Sequence, residues 1–256
     1  MPKKQKLYKV DHSNMKLGKL VAKHDPRTLK LGKYLQLLTP KPAVDWTKAI
    51  ADWGMMLNDN LGCCTIAAMG HAMQVWTANS WSSEFTVPDS AILQKYEMWA
   101  GYNPADPSTD QGAVELDVLN KWRQSPPGFW GQKLLAYAEP DPANINHVKL
   151  ATELFGGVYI GLSLPISAQT QAVWDVADGP NGEPGSWGGH AVFVPAYDAT
   201  GLTCITWGQL KKMTWAFWAK YCDESHALLG ADWVNQKSPE GFDLATLQAD
   251  LGQIKN

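Results

Sequence analysis

Two cysteines stand side by side in Asn58–Asn79, NDNLGCCTIAAMGHAMQVWTAN, and the second, Cys64, opens a proline-free stretch rich in Ala, Met and Gln. Apolar residues on nearly all sides of that stretch predict a helix buried in a core. A thiol in the first turn of such a helix faces backbone N–H groups that lack intrahelical partners. It also faces the positive end of the helix dipole, and both favour thiolate over thiol. Cys64 is therefore the candidate nucleophile, and Cys63 fills a small-residue position in the turn before it. A thiolate nucleophile needs a base within reach, a group to hold that base, and donors aimed at the developing oxyanion. Among six histidines the best base is His190, which opens the strand-like segment HAVFVPAY directly after Ser186-Trp187-Gly188-Gly189. That small, flexible approach leaves a cleft open before the imidazole. The plain alternatives are two small buried cysteines and a strand histidine with a satisfied hydrogen bond.

Other groups that invite a functional label are read as structural. His71 lies near the helical face of Cys64 and is expected to be a satisfied core histidine. Asp175, Asp178 and Glu183 belong to a solvated loop, the Trp215–Trp218 cluster is at core spacing, and Lys211-Lys212 reads as a solvated turn. The histidines and cysteines show no repeated Cys-x-x-Cys or His-x-x-x-His spacing, so neither a metal site nor a cofactor is expected. Cys63, Cys64, Cys204 and Cys222 make no disulfide framework in 256 residues, which fits free thiols and a reducing compartment.

Stepping outward to the elements that must hold these groups, the helix beginning at Cys64 runs to about Thr77. Pro88-Asp89-Ser90 starts a second helix through Trp99. A third covers Ala113–Trp122, stopped by Ser125-Pro126-Pro127-Gly128. From Lys133 the character changes. LLAYAEP and VYIGLSLP read as strands flanking a helix over Ile145–Phe155. The loop Asp178–Gly189 leads to the His190 strand, whose hairpin partner is Leu202–Trp207 across Asp198–Gly201. Thr214 caps a helix through Tyr221, Ser225–Leu229 is a last strand, and Asp243–Ile254 is a terminal amphipathic helix. Helices first and strands later predict an α+β protein of two lobes. The expected division is an arm over 1–43 and a domain over 44–256, helical to about 132 and β-rich from about 133.

Thirteen tryptophans point to an aromatic interior or groove, and the net charge of −3 conceals an asymmetry. Residues 1–43 carry eleven Lys and Arg against Asp11 and Asp25, so a basic, largely extended arm precedes a body of charge −12. The simplest seat for the arm is its own body, a neighbouring subunit or another protein partner. It lacks the aromatic interleaving of a nucleic-acid binder. No apolar run is long enough to span a membrane, and the basic MPKKQKLYKV is not followed by the apolar core of a secretory signal. The expected location is cytoplasmic or within a virus particle.

Several segments resemble, in order, the papain-like cysteine peptidases. Val44-Asp45-Trp46 is similar to the VDW that opens their mature domain, and Trp46 precedes Cys64 by the family's eighteen positions. Asn58–Ala67 resembles their Gln-to-Cys motif and Asp110-Gln111-Gly112 their NGG segment. Gly156–Ile160 resembles their GPV strand, Gly189-His190-Ala191-Val192 with Ala196-Tyr197-Asp198 their NHAV…VGY, and Ile205-Thr206-Trp207-Gly208 their NSWG. The resemblance covers about residues 44–210. It implies a two-lobed fold with Cys64 as nucleophile, His190 as general base and acid, and the Cys64 N–H as one oxyanion donor. Asn58 stands where the family has its oxyanion glutamine, one methylene shorter, with Asn60 as a weaker candidate. Trp207 would shield the histidine's partner, and Trp187, Gly188 and Gly189 would border the substrate entry. Where the family has a histidine-orienting asparagine, this chain offers Ile205 or Thr206, depending on register. Ile accepts no hydrogen bond and Thr only a weak one.

The expected function is a thiol-dependent hydrolase, a cysteine peptidase or related amidase acting on a peptide or amide through Cys64 and His190. The alternative is a catalytically impaired scaffold of the same fold, a structural or interaction protein anchored by its basic arm. A third arrangement places the arm in the cleft as a pro-segment.

Overall fold

The computed structural model describes residues 10–36, 38–81, 83–125, 128–141, 143–237 and 239–253. The most basic part of the arm, the Pro126-Pro127 helix stop and Ile254 lie outside the described residues. The helices are α1 (Cys64–Ser80), α2 (Asp89–Ala100), α3 (Glu115–Gln124), α4 (Ile145–Phe155), α5 (Trp215–Tyr221), α6 (Ala231–Lys237) and α7 (Leu244–Gln253). The strands are β1 (Val44–Asp45), β2 (Leu134–Ala138), β3 (Val158–Leu164), β4 (Gly188–Tyr197), β5 (Gly201–Thr206), β6 (Gln209–Thr214) and β7 (Cys222–Gly230). They form one antiparallel sheet in the order β2-β7-β3-β4-β5-β6, with β1 paired to the far end of β4 through Val44 and Tyr197.

α1 is buried from Cys64 through Ala78 because it lies between the other helices and the sheet. Several of its polar groups bond where they sit: Thr77 donates to the Met73 carbonyl (2.9 Å), and Trp76 Nε1 reaches the Phe155 carbonyl (2.8 Å), whereas the hydroxyls of Thr65 and Ser80 are buried without a partner. His71 shares a 2.8 Å hydrogen bond with Gln74. It is a core histidine. β3 and β4 are buried on both faces: Val158, Ile160, Val192 and Val194 enter the core beneath α4, while Tyr159, Ala191 and Phe193 enter the core shared with α1. Double-sided burial accounts for the almost unbroken apolar runs in these strands.

Besides the two-residue β1, two elements escaped the sequence pattern. α6 is only seven residues long. β6 reads QLKKMT, and its lysines conceal the alternation expected of a strand. Lys212 is exposed but Lys211 is buried, with its ammonium on the Gln171 carbonyl and 5.5 Å from the Trp174 ring centroid, so the expected solvated turn is corrected. The turn falls earlier, at Trp207 and Gly208, whose φ values of 46° and 71° suit a tight hairpin.

Over its described residues from 10 onward, the arm lies on its own body. Leu31 and Tyr34 are buried in the core beneath α4, and the Leu31 N–H bonds the Glu139 carbonyl at 2.9 Å. Lys23–Asp117 (2.8 Å), Lys33–Asp250 (2.7 Å) and Lys41–Glu153 (2.9 Å) add ion pairs between arm and body. Exposed pairs of this kind contribute about 0–1 kcal/mol each. Burial and main-chain pairing hold the arm. No helix among the described residues is long and apolar enough to cross a membrane.

Candidate active site

The N-terminus of α1 meets the first residues of β4, and there the Ala191 N–H donates to Cys64 Sγ at 3.4 Å. His190, the residue before Ala191, is thereby carried to the same end of the site across 126 positions of sequence, and its ring makes no hydrogen bond to the sulfur. Cys63 turns elsewhere, its thiol donating to the Met56 carbonyl at 3.4 Å. His190 Nε2 shares a 2.7 Å hydrogen bond with Thr206 Oγ1, and both side chains are buried. Of the two alternatives it is Thr206 that contacts the imidazole, while Ile205 packs into the core on the other face of β5. Trp207 stacks on the imidazole with ring centroids 4.6 Å apart, and Trp187 lies 5.6 Å from Trp207. His190 Nδ1 is buried without a hydrogen-bond partner.

Asn58 is buried, but its amide bonds the Leu61 carbonyl of its own turn at 3.4 Å. Asn60 is exposed. Asp175, Asp178 and Glu183 lie in exposed loop positions. The Gly62 N–H that shapes the turn before the thiol is fixed by Asp110 Oδ1 (2.9 Å), which also accepts from Tyr96 Oη (2.6 Å).

The arm runs directly over the thiol. The Ala113 N–H donates to the Gly18 carbonyl (2.8 Å), the Lys19 N–H to the Gly189 carbonyl (3.0 Å), and the Leu20 N–H to the Ala113 carbonyl (3.0 Å). The Gly18 backbone N–H, with that of Ala191, favours the thiolate form of Cys64. Only glycine fits here, since a Cβ on Gly18 would stand 1.8 Å from the Gly62 carbonyl oxygen. Leu17 lies against Gly188 and Lys19 against Gly189, the positions expected to border the entry. Gly18 and Lys19 were not singled out in the sequence. Their only signal was a glycine between lysines, KLGKL, in the basic arm.

Covering the site neutralises it. Burial lifts the Cys64 thiol from its ordinary 9.0 to about 11, although the N–H groups of Ala191 and Gly18 pull the other way. Burial, with the His12 charge a lesser influence, pushes His190 down to about 3. The thiolate expected at a helix N-terminus is therefore not the form this state favours. A two-unit rise corresponds to about 3 kcal/mol, whereas a helix dipole supplies about 0.3–1 kcal/mol.

Solved structures share this architecture. Xylellain, a cysteine protease from Xylella fastidiosa, superposes with a TM-score of 0.64 at 16% identity, over 88% of this chain and 98% of that one. The fold is papain-like. Digestive procathepsin L 3 of Tenebrio molitor larval midgut matches with a TM-score of 0.55 at 12% identity, covering 85% of this chain and 76% of that one. Procathepsin B S9 from Trypanosoma congolense gives 0.57 at 8% identity, over 84% and 86% of the two chains. No protein-family model and no curated protein matches the chain. Within this papain-like fold, the N-terminus of the Cys64 helix packs against the His190 strand.

Proposed function

We propose that the protein is a cysteine peptidase or related amidase whose site is closed by its own arm. The observation that carries this reading is the Ala191–Cys64 contact at 3.4 Å, together with Thr206 on His190 Nε2, which leaves Nδ1 free on the buried side of the ring. Once Gly18 withdraws, the Cys64 thiol passes its proton to His190 Nδ1, and the thiolate attacks the carbonyl carbon of a peptide or amide. The Cys64 N–H, with the Asn58 amide if it leaves Leu61, would stabilise the oxyanion. His190 then protonates the leaving amine, forming a thioester. Water, deprotonated by His190, releases the acid and restores the thiol. Trp207 shields the Thr206–His190 hydrogen bond.

One observation favours the scaffold reading: the Asn58 amide is spent on Leu61 in the covered state. The test is stoichiometric alkylation of Cys64 by iodoacetamide near neutral pH in a chain whose arm has been loosened. Reactivity above that of Cys204 and Cys222, lost in His190→Ala, supports the peptidase or amidase. A Cys64 no more reactive than those two supports the scaffold.

A further inference from the structure

Beside the thiol the fold gathers three carboxylates that the sequence scatters. Glu115 opens α3, and Asp223 and Glu224 lie on β7, where Glu224 pairs with Gly161 of β3. Glu115 is fully buried and neither of its oxygens has a hydrogen bond. His226 stands above the pair, 4.0 Å from Glu115 and 3.7 Å from Glu224, and its two ring nitrogens are buried without hydrogen bonds. Together Glu115, Glu224 and His226 also form a constellation within 4.8 Å that has metal-ligand chemistry, but an ammonium already stands among the carboxylates. Lys19 Nζ is 2.9 Å from Asp223 Oδ1 and 3.1 Å from Glu224 Oε1, and its side chain is 1% exposed.

The slot that admits this side chain depends on a missing one. A Cβ on Gly161 would lie 2.1 Å from Lys19 Cε, 2.7 Å from Glu224 Cγ and 2.8 Å from Glu115 Oε1. Buried carboxylates need a cation, because charge taken out of water is costly unless paired. Empty of Lys19, the slot would present unpaired acids one residue from Gly18, which lies against the Gly62 turn before the thiol. We propose that Glu115, Asp223, Glu224 and Gly161 form the specificity pocket of this site. Its preferred substrate is a peptide with a lysine or arginine side chain within two residues of the attacked carbonyl, and Lys19 is the arm's own imitation of it. The proposal rests on Cys64 being the nucleophile.

The full chain carrying Gly18→Ala and Lys19→Glu, which crowds the arm and sets a fourth carboxylate in the slot, is titrated with synthetic peptides of residues 12–24. One peptide carries Lys at position 19 and the other norleucine, equal in length but uncharged. The expected result is binding at least tenfold tighter for the lysine peptide. Adding Glu224→Gln should shrink the ratio, and adding Gly161→Val should abolish binding of both. Equal affinity, or a ratio indifferent to Glu224→Gln, overturns the proposal even where Cys64 alkylates rapidly. A retained lysine preference with an unreactive Cys64 upholds cation selection and overturns the nucleophile instead.

Discussion

Substituting Gly18 by alanine should expose Cys64. The added Cβ would meet the Gly62 carbonyl oxygen at 1.8 Å, and Gly62 has little freedom to retreat because Asp110 holds its N–H at 2.9 Å. The arm must lift instead, giving up the Ala113–Gly18, Lys19–Gly189 and Leu20–Ala113 backbone bonds. At about 1 kcal/mol net for each bond, the covered state loses about 3 kcal/mol. Since about 1.4 kcal/mol is tenfold, the uncovered fraction rises on the order of a hundredfold. The assay is the rate of iodoacetamide labelling at pH 7, read peptide by peptide by mass spectrometry, with buried Cys204 as internal reference. The gain at Cys64 should reach or exceed a hundredfold, because admitted water also lowers a thiol that burial holds at about 11. If Gly18→Ala labels Cys64 at the wild-type rate while the melting temperature falls, the arm is not what covers the thiol.

Acid should weaken the fold through the buried histidines His71 and His190. Burial lowers His71 to about 4 and His190 to about 3, so the unfolded chain takes up their protons first as pH falls below the ordinary 6.5. Stability is full above 6.5 and drains away down to 4 and then 3, by about 3 kcal/mol for His71 alone; the urea midpoint should follow, less steeply in His71→Gln. Thr206→Val removes the hydrogen bond on His190 Nε2. In the Gly18→Ala background it should cut kcat, by up to the order of a thousandfold, with little change in KM, as measured on a peptide amide. Asp110→Ala strips partners from Gly62 and Tyr96 and should cost about 1–3 kcal/mol in urea unfolding.

Much of the positioning apparatus is local and legible. The proline-free run after Cys64, the Gly-rich approach to His190, and the turn at Asp198–Gly201 each follow from spacing and residue type, because periodicity and turn chemistry are properties of neighbouring residues. The helix over Ile145–Phe155 and the strand Val158–Leu164 occur with the predicted bounds or within one residue. β6 was obscured because Lys211 is buried by the packing of the loop carrying Gln171 and Trp174, which nothing in QLKKMT announces.

The candidate site divides the same way. Sequence alone determined a cysteine at a helix start, a histidine at a strand start, and a basic segment ahead of an acidic body. The choice between Ile205 and Thr206 belonged to the tertiary structure, since neighbouring strand residues face opposite sides and only the packed sheet shows which side His190 occupies. Only the fold could decide that Gly18 lies on the thiol and that Glu115, Asp223 and Glu224 converge on Lys19. Those contacts join residues 46 (Gly18 and Cys64) to 205 (Lys19 and Glu224) positions apart, where their formation depends on how helix, sheet and arm pack together and no local pattern records it.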